Sequence, residues 1–94
     1  MDIGYKNYDT KKYYNSRTYQ AWFNMKARCD NSNRKDYKYY GAKGIRYTFA
    51  WKFFSNFLKD MGECPNTYTL ERIDNNKNYS KENCKWIPKS EQMK

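Results

Sequence analysis

Histidine is absent from the 94 residues. The side chain that most often serves as a general base near neutrality, and as a zinc ligand, is therefore unavailable. Cysteine is scarce as well. Cys29, Cys64 and Cys84 are odd in number and widely spaced, and no CxxC pair exists. That pattern speaks against a secreted disulfide framework and leaves a structural zinc site short of ligands, so no zinc is expected. Cys29 and Cys84 are expected as small buried packing groups. No apolar run approaches the roughly 18 residues that a membrane span requires. With no leader-like segment either, the chain is expected to be intracellular. Internal repeats are lacking, and nothing marks a small-molecule substrate.

Positive charge and aromatic rings are abundant. Nineteen Lys and Arg face ten Asp and Glu, a formal net charge of +9. A field of that sign attracts polyanions and speeds encounter with them, so DNA, most directly duplex DNA, is the expected partner. An acidic protein or an anionic membrane surface answers the same field less well. Aromatics make up 20% of the chain against 38% for all hydrophobic residues, so the core must be built largely of Tyr, Phe and Trp. Ninety-four residues fit one domain that buries only about 60–65% of its unfolded surface.

Residues 1–15 show no periodicity and are expected as an N-terminal arm, partly flexible, ahead of a single domain over 16–94. Ser16 is the expected N-cap of a helix through about Cys29, with Tyr19, Trp22, Phe23, Lys26 and Cys29 on its inner face. Residues 30–43 are turn-formers, punctuated by Gly41 and Gly44. A strand is predicted over Ile45–Phe49, then a helix over Trp51–Met61 that Gly62 ends. The last third reads as a strand over Tyr68–Ile73, a loop over Asp74–Glu82, a strand over Asn83–Ile87 and a short helix opened by Pro88. The expected fold is α+β. Helix, strand and helix (16–62) pack on a C-terminal strand–strand–helix unit (66–94).

The run YTLERIDNNKNYSKENCKWIPKSEQ resembles the ββα-metal, or HNH, segment of small phage and mobile-element endonuclease-like proteins. The upstream order of Trp22, Met25, Arg28 and Cys29, then YGAKGI over 40–45, then Trp51, Phe54, Phe57 and Asp60, is similar to that family as well. The resemblance implies a DNA-directed role and a Mg²⁺ or Mn²⁺ cofactor held by hard oxygen ligands. It implies Glu71 as the metal-binding acid, Gln92 as the ligand from the helix (with Glu91 or Asp74 as alternatives) and Asn83 as the orienting asparagine. Arg72 then stands where the family carries its histidine base. An arginine stays protonated at any workable pH and cannot take a proton from water.

Three explanations of Arg72 stay open. It binds a DNA phosphate through its planar fork on a frame that no longer cuts. Another group, Tyr68 or Tyr79, activates the nucleophile while Arg72 steadies the developing charge. Or Glu71 and Arg72 are an ordinary surface pair. Asp74 divides similarly between metal ligand and the opening residue of an Asx-turn.

Between the first helix and the predicted strand, Arg34, Lys35, Lys38, Lys43 and Arg46 alternate with Tyr37, Tyr39 and Tyr40. Such a segment suits phosphate pairing and base stacking. Lys77, Lys81 and Lys85 would extend it beside Arg72, and Asn75, Asn76 and Asn78 would face base edges. A third function class is a small phage inhibitor that binds a host defence or transcription protein, and a phage-encoded chain of any of these classes is expected in the host cytoplasm. If about six of these cations meet phosphate, a plot of log affinity against log salt should fall with a slope near −5. Titration of a labelled duplex at several salt concentrations measures it, and a flat plot would contradict the expectation.

Overall fold

The computed structural model describes Ser16–Gln92, and the expected arm over 1–15 lies outside the described residues. Three helices and one antiparallel hairpin follow in the order α1 (Arg17–Asp30), α2 (Phe54–Met61), β1 (Tyr68–Arg72), β2 (Cys84–Pro88) and α3 (Lys89–Gln92). The fold is mixed α+β with a two-stranded sheet. No helix among the described residues is long and apolar enough to cross a membrane.

Helix α1 starts as its sequence suggests. The Ser16 hydroxyl accepts a hydrogen bond from the Tyr19 N–H, satisfying one of the orphan donors at a helix start. Its buried face differs from the expected one. Thr18, Trp22, Met25 and Cys29 point inward, while Phe23 is 54% exposed and Lys26 reaches out to the Lys52 carbonyl. Aromatic rings alone do not mark the inward stripe. The true one, at i, i+4, i+7 and i+11, admits Thr18 because its hydroxyl accepts from the Cys64 N–H at 2.8 Å.

Residues 35–39 and 41–43 form two short 3₁₀ turns. Gly41 joins them where a side chain would strike the Cys29 carbonyl and the Tyr37 ring, so the turns can lie directly on α1. The predicted strand over Ile45–Phe49 does not form. Tyr47 makes a single parallel bridge with Tyr79, and Phe49 turns outward into a 3₁₀ turn over Phe49–Lys52. The segment lacks a partner strand, and only Tyr79 comes alongside; just beyond it, Trp51 is fully buried. Its carbonyl accepts from the Trp22 indole at 2.7 Å and its own indole donates to Asp60 at 2.8 Å. With that carbonyl engaged sideways, α2 begins only at Phe54, later than predicted, and ends at Gly62, whose φ of 70° few other residues adopt comfortably.

The third indole, on Trp86, donates to the Met61 carbonyl at 2.8 Å and ties the hairpin to the end of α2. The core is thus aromatic and polar-stitched. Trp22 meets Phe54 edge-on, Phe54 lies tilted against Phe57, and Phe57 meets both Trp51 and Trp86 edge-on, while each indole N–H has an acceptor. The hairpin pairs Leu70 with Trp86, Glu71 with Lys85 and Arg72 with Cys84. Leu70 enters the core, so alternation places Arg72 on that same side and Glu71 on the opposite one. α3 packs against both strands.

Burial pushes the thiols of Cys29 and Cys84 up from 9.0 to about 11. A raised acid pKa means that the folded chain holds protons that the unfolded chain has lost. The contribution of these thiols should be constant below pH 8, then be lost as pH rises from about 9 to 11, by roughly 2 kcal/mol per thiol. Urea unfolding across that range checks it. A Cys29→Ala, Cys84→Ala double variant should lose most of the slope.

Candidate nucleic-acid interface

The loop between the two strands spans residues 73–83 and contains little apolar material, so its shape depends on polar ties. Asn83 supplies three of them. Its side-chain oxygen accepts from the Asp74 N–H at 2.8 Å, and its amide donates to the carbonyls of Asp74 and Asn78 at 3.1 and 2.9 Å. Asn83 is 8% exposed, so these bonds are shielded from water. The resemblance placed Asn83 as the residue that orients its neighbour at position 72. Here it orients the loop backbone, and the loop in turn holds Arg72.

Arg72 reaches into this loop from the end of β1. Its Nη1 donates to the carbonyls of Asn75 and Lys77 at 2.8 and 2.9 Å. The guanidinium carbon lies 5.2 Å from the ring centroids of both Tyr40 and Tyr79, which are themselves stacked at 6.3 Å. Arg28 approaches the Tyr40 ring as well, at 5.4 Å. Two cations therefore rest against one tyrosine pair, an arrangement that aromatic faces favour through their quadrupole. With Nη1 committed, the Nε–H and Nη2 protons of Arg72 form no hydrogen bond to any described residue. Those two groups make up one complete edge of the guanidinium, the edge that grips a phosphate in a bidentate manner.

Two clefts share Arg72 and Asn75 in their linings. One, of about 350 Å³, is lined by Glu71, Lys85, Ile87 and Glu91 together with Arg72 and Asn75. The other, of about 280 Å³, is lined by Tyr39, Lys43, Ile45 and Asn76, again with Arg72 and Asn75. Glu71 and Glu91 thus share a cleft, but Lys85 stands opposite Glu71 in the strand register. Among the described residues no three His, Cys, Asp or Glu side chains gather to hold a metal ion. Glu71 and Glu91 are the two carboxylates of this cleft, and they share it with the Lys85 ammonium group. The side chain of Gln92, the other ligand implied by the resemblance, lies outside the described residues. Asp74 is engaged elsewhere: its carboxylate accepts from the Asn76 N–H at 2.9 Å, the Asx-turn alternative.

The remaining sequence candidates separate into groups. Arg34 is committed internally, with Nε and Nη2 on Asp36 and Nη1 on Asn24, so its charge is answered within the fold. The hydrogen bond from Arg34 in turn holds the Asp36 carboxyl below its usual range. Lys35, Lys38, Lys43, Arg46, Lys77, Lys81 and Lys85 are all exposed, and Tyr39 is 58% exposed. Asn78 is spent on the Arg46 N–H. Tyr79 is 2% exposed and burial pushes its phenol up to about 12, so it stays protonated near neutrality and supplies a platform rather than a base. Tyr68 is half-buried on β1. Arg28 was missed by sequence reasoning, since nothing in its local pattern signals a ring across the fold.

No protein-family model matches the chain, no curated protein matches it significantly in sequence, and no solved structure matches its fold significantly.

Removing the Asn83 side chain would leave the Asp74 N–H and two carbonyls without their partners. Asn83→Ala should cost about 2–4 kcal/mol. The loop over 73–83 should become the first site of limited proteolysis while the helical signal in circular dichroism persists. Unchanged protection of the loop would contradict this arrangement.

Proposed function

We propose that this chain is a DNA-binding protein of phage type, built on a degenerate HNH frame and engaging DNA phosphates through a basic, tyrosine-rich surface. The observation that carries the reading is Arg72, which lines both clefts and whose Nε and Nη2 form no hydrogen bond among the described residues. Three of its features suit a phosphate. The charge is permanent, the plane is held by two loop carbonyls and a tyrosine pair, and the open edge presents two parallel donors. Preorganisation of this kind reduces the ordering cost of binding. Lys43 lines one cleft with it and extends the positive track, while Arg34 is held by Asp36 and takes no part.

The frame is supported by order and by facing. A hairpin is followed directly by a helix, an acid on β1 faces the helix side, its neighbour faces the other side, and an asparagine closes the loop between. The residue that would act as base is an arginine, and among the described residues no three His, Cys, Asp or Glu side chains gather. A binding role therefore accounts for more of the site than catalysis does. A second reading, a metal-dependent endonuclease with an unconventional base, draws on the shared cleft of Glu71 and Glu91.

Duplex binding should be salt-sensitive and largely independent of sequence, as phosphate contacts carry no base information. Lys43→Ala should weaken it about three- to tenfold and lower the salt slope by about one. Arg72→Lys keeps the charge but loses the fork, and should cost at least about tenfold. Supercoiled plasmid with Mg²⁺ or Mn²⁺ should stay intact. Nicking that Glu71→Ala abolishes would replace this proposal with the endonuclease reading, and absence of salt-sensitive binding would overturn both.

A further inference from the structure

The cleft between the turn over 35–43 and the loop over 73–83 is concave, and a concavity is the wrong shape for reading a closed duplex. Groove readout requires a protein element that protrudes into DNA, such as a helix or a ribbon. Here the protein recedes and something from the nucleic acid must enter. Its lining suits one kind of visitor. Tyr39 supplies a ring that is 58% exposed, and Lys38 Nζ lies 5.2 Å from that ring. Asn75 and Asn76 line the cleft, and no side-chain hydrogen bond commits either amide among the described residues. Lys43 and the open edge of Arg72 supply cations at the rim. A stacking ring, amide groups that both donate and accept, and flanking cations match a nucleobase with its phosphate. At about 280 Å³ the cleft lies near the small end of ligand sites, in keeping with a single planar ring system.

We infer that this cleft receives one unpaired base, stacked on Tyr39, so that the preferred target is single-stranded DNA or a duplex carrying an extrahelical base. This rests on the DNA-binding reading above and sharpens its substrate class. Phosphate contacts by Arg72 and Lys43 anchor the strand, and Tyr39 selects the unpaired nucleotide. The selection is tolerant of base identity, since every base offers a π-face.

The test compares three probes of one sequence: a single strand, a perfect duplex and a duplex with one bulged 2-aminopurine. Wild-type protein should bind the bulged and single-stranded probes at least about fivefold more tightly than the duplex, and stacking should quench the 2-aminopurine emission. Tyr39→Ala should lose about tenfold on those two probes and clearly less on the duplex, and Tyr39→Phe should restore binding and quenching. Tyr39 is exposed, and circular dichroism of the variant should match the wild type. Equal affinity for all three probes, or an equal loss on all three with Tyr39→Ala, would overturn the inference while leaving the DNA-binding reading intact. Failure to bind any probe at low salt would remove both.

Discussion

Arg72 crosses the mouth of an eleven-residue span (73–83) that has almost no apolar content of its own, and the arrangement of the candidate surface depends on it. A loop of this composition has no hydrophobic reason to adopt one shape. Polar ties must hold it, and they come from its two ends: Arg72 at the close of β1 and Asn83 just before β2. Their combined effect turns Tyr79 inward, where its ring meets Tyr40 and its backbone bridges to Arg46 and Thr48. The hairpin half is thereby joined to the turns that follow α1. The same guanidinium that fastens this joint carries the open edge on which the proposed phosphate contact rests.

This doubling of roles has a physical cost and a physical benefit. A guanidinium so placed is partly desolvated, which its permanent charge and weak hydration tolerate better than a lysine would. In return its plane is fixed before any partner arrives, and a fixed plane is what gives a bidentate contact direction. The rest of the core follows a similar logic. Three indoles bury large rings and each N–H finds a carbonyl or carboxylate on another element, so packing and polar satisfaction are achieved by one set of side chains.

Much of this was legible beforehand. Ser16 as a helix start, the end of α2 at Gly62 and the hairpin beginning at Tyr68 are local matters of capping, backbone freedom and alternation, and all three stand as expected. The strand predicted over 45–49 failed because alternation describes a face without supplying a partner, and only Tyr79 comes alongside. Arg34, as good a phosphate ligand by type as Lys43, proved to be held by Asp36 two residues on. Counting cations along a chain does not reveal which are already answered.

By itself the sequence determined the sign of the surface, the aromatic character of the core, the mixed α+β class and the position at which an arginine meets a strand end. These follow from residue type and from spacing over a few residues, where propensity and periodicity act. Tertiary structure alone decided that Arg72 would lie against Tyr40 and Tyr79, with one nitrogen bound to the loop and one edge without a hydrogen bond among the described residues. It also decided that Tyr39, Lys43, Asn75 and Asn76 would border a single cleft. Those residues are more than thirty positions apart in part, and no local preference acts over such a span. Their meeting depends on how the hairpin docks on the helices, which the buried indoles and the Asn83 ties establish only when the chain is folded.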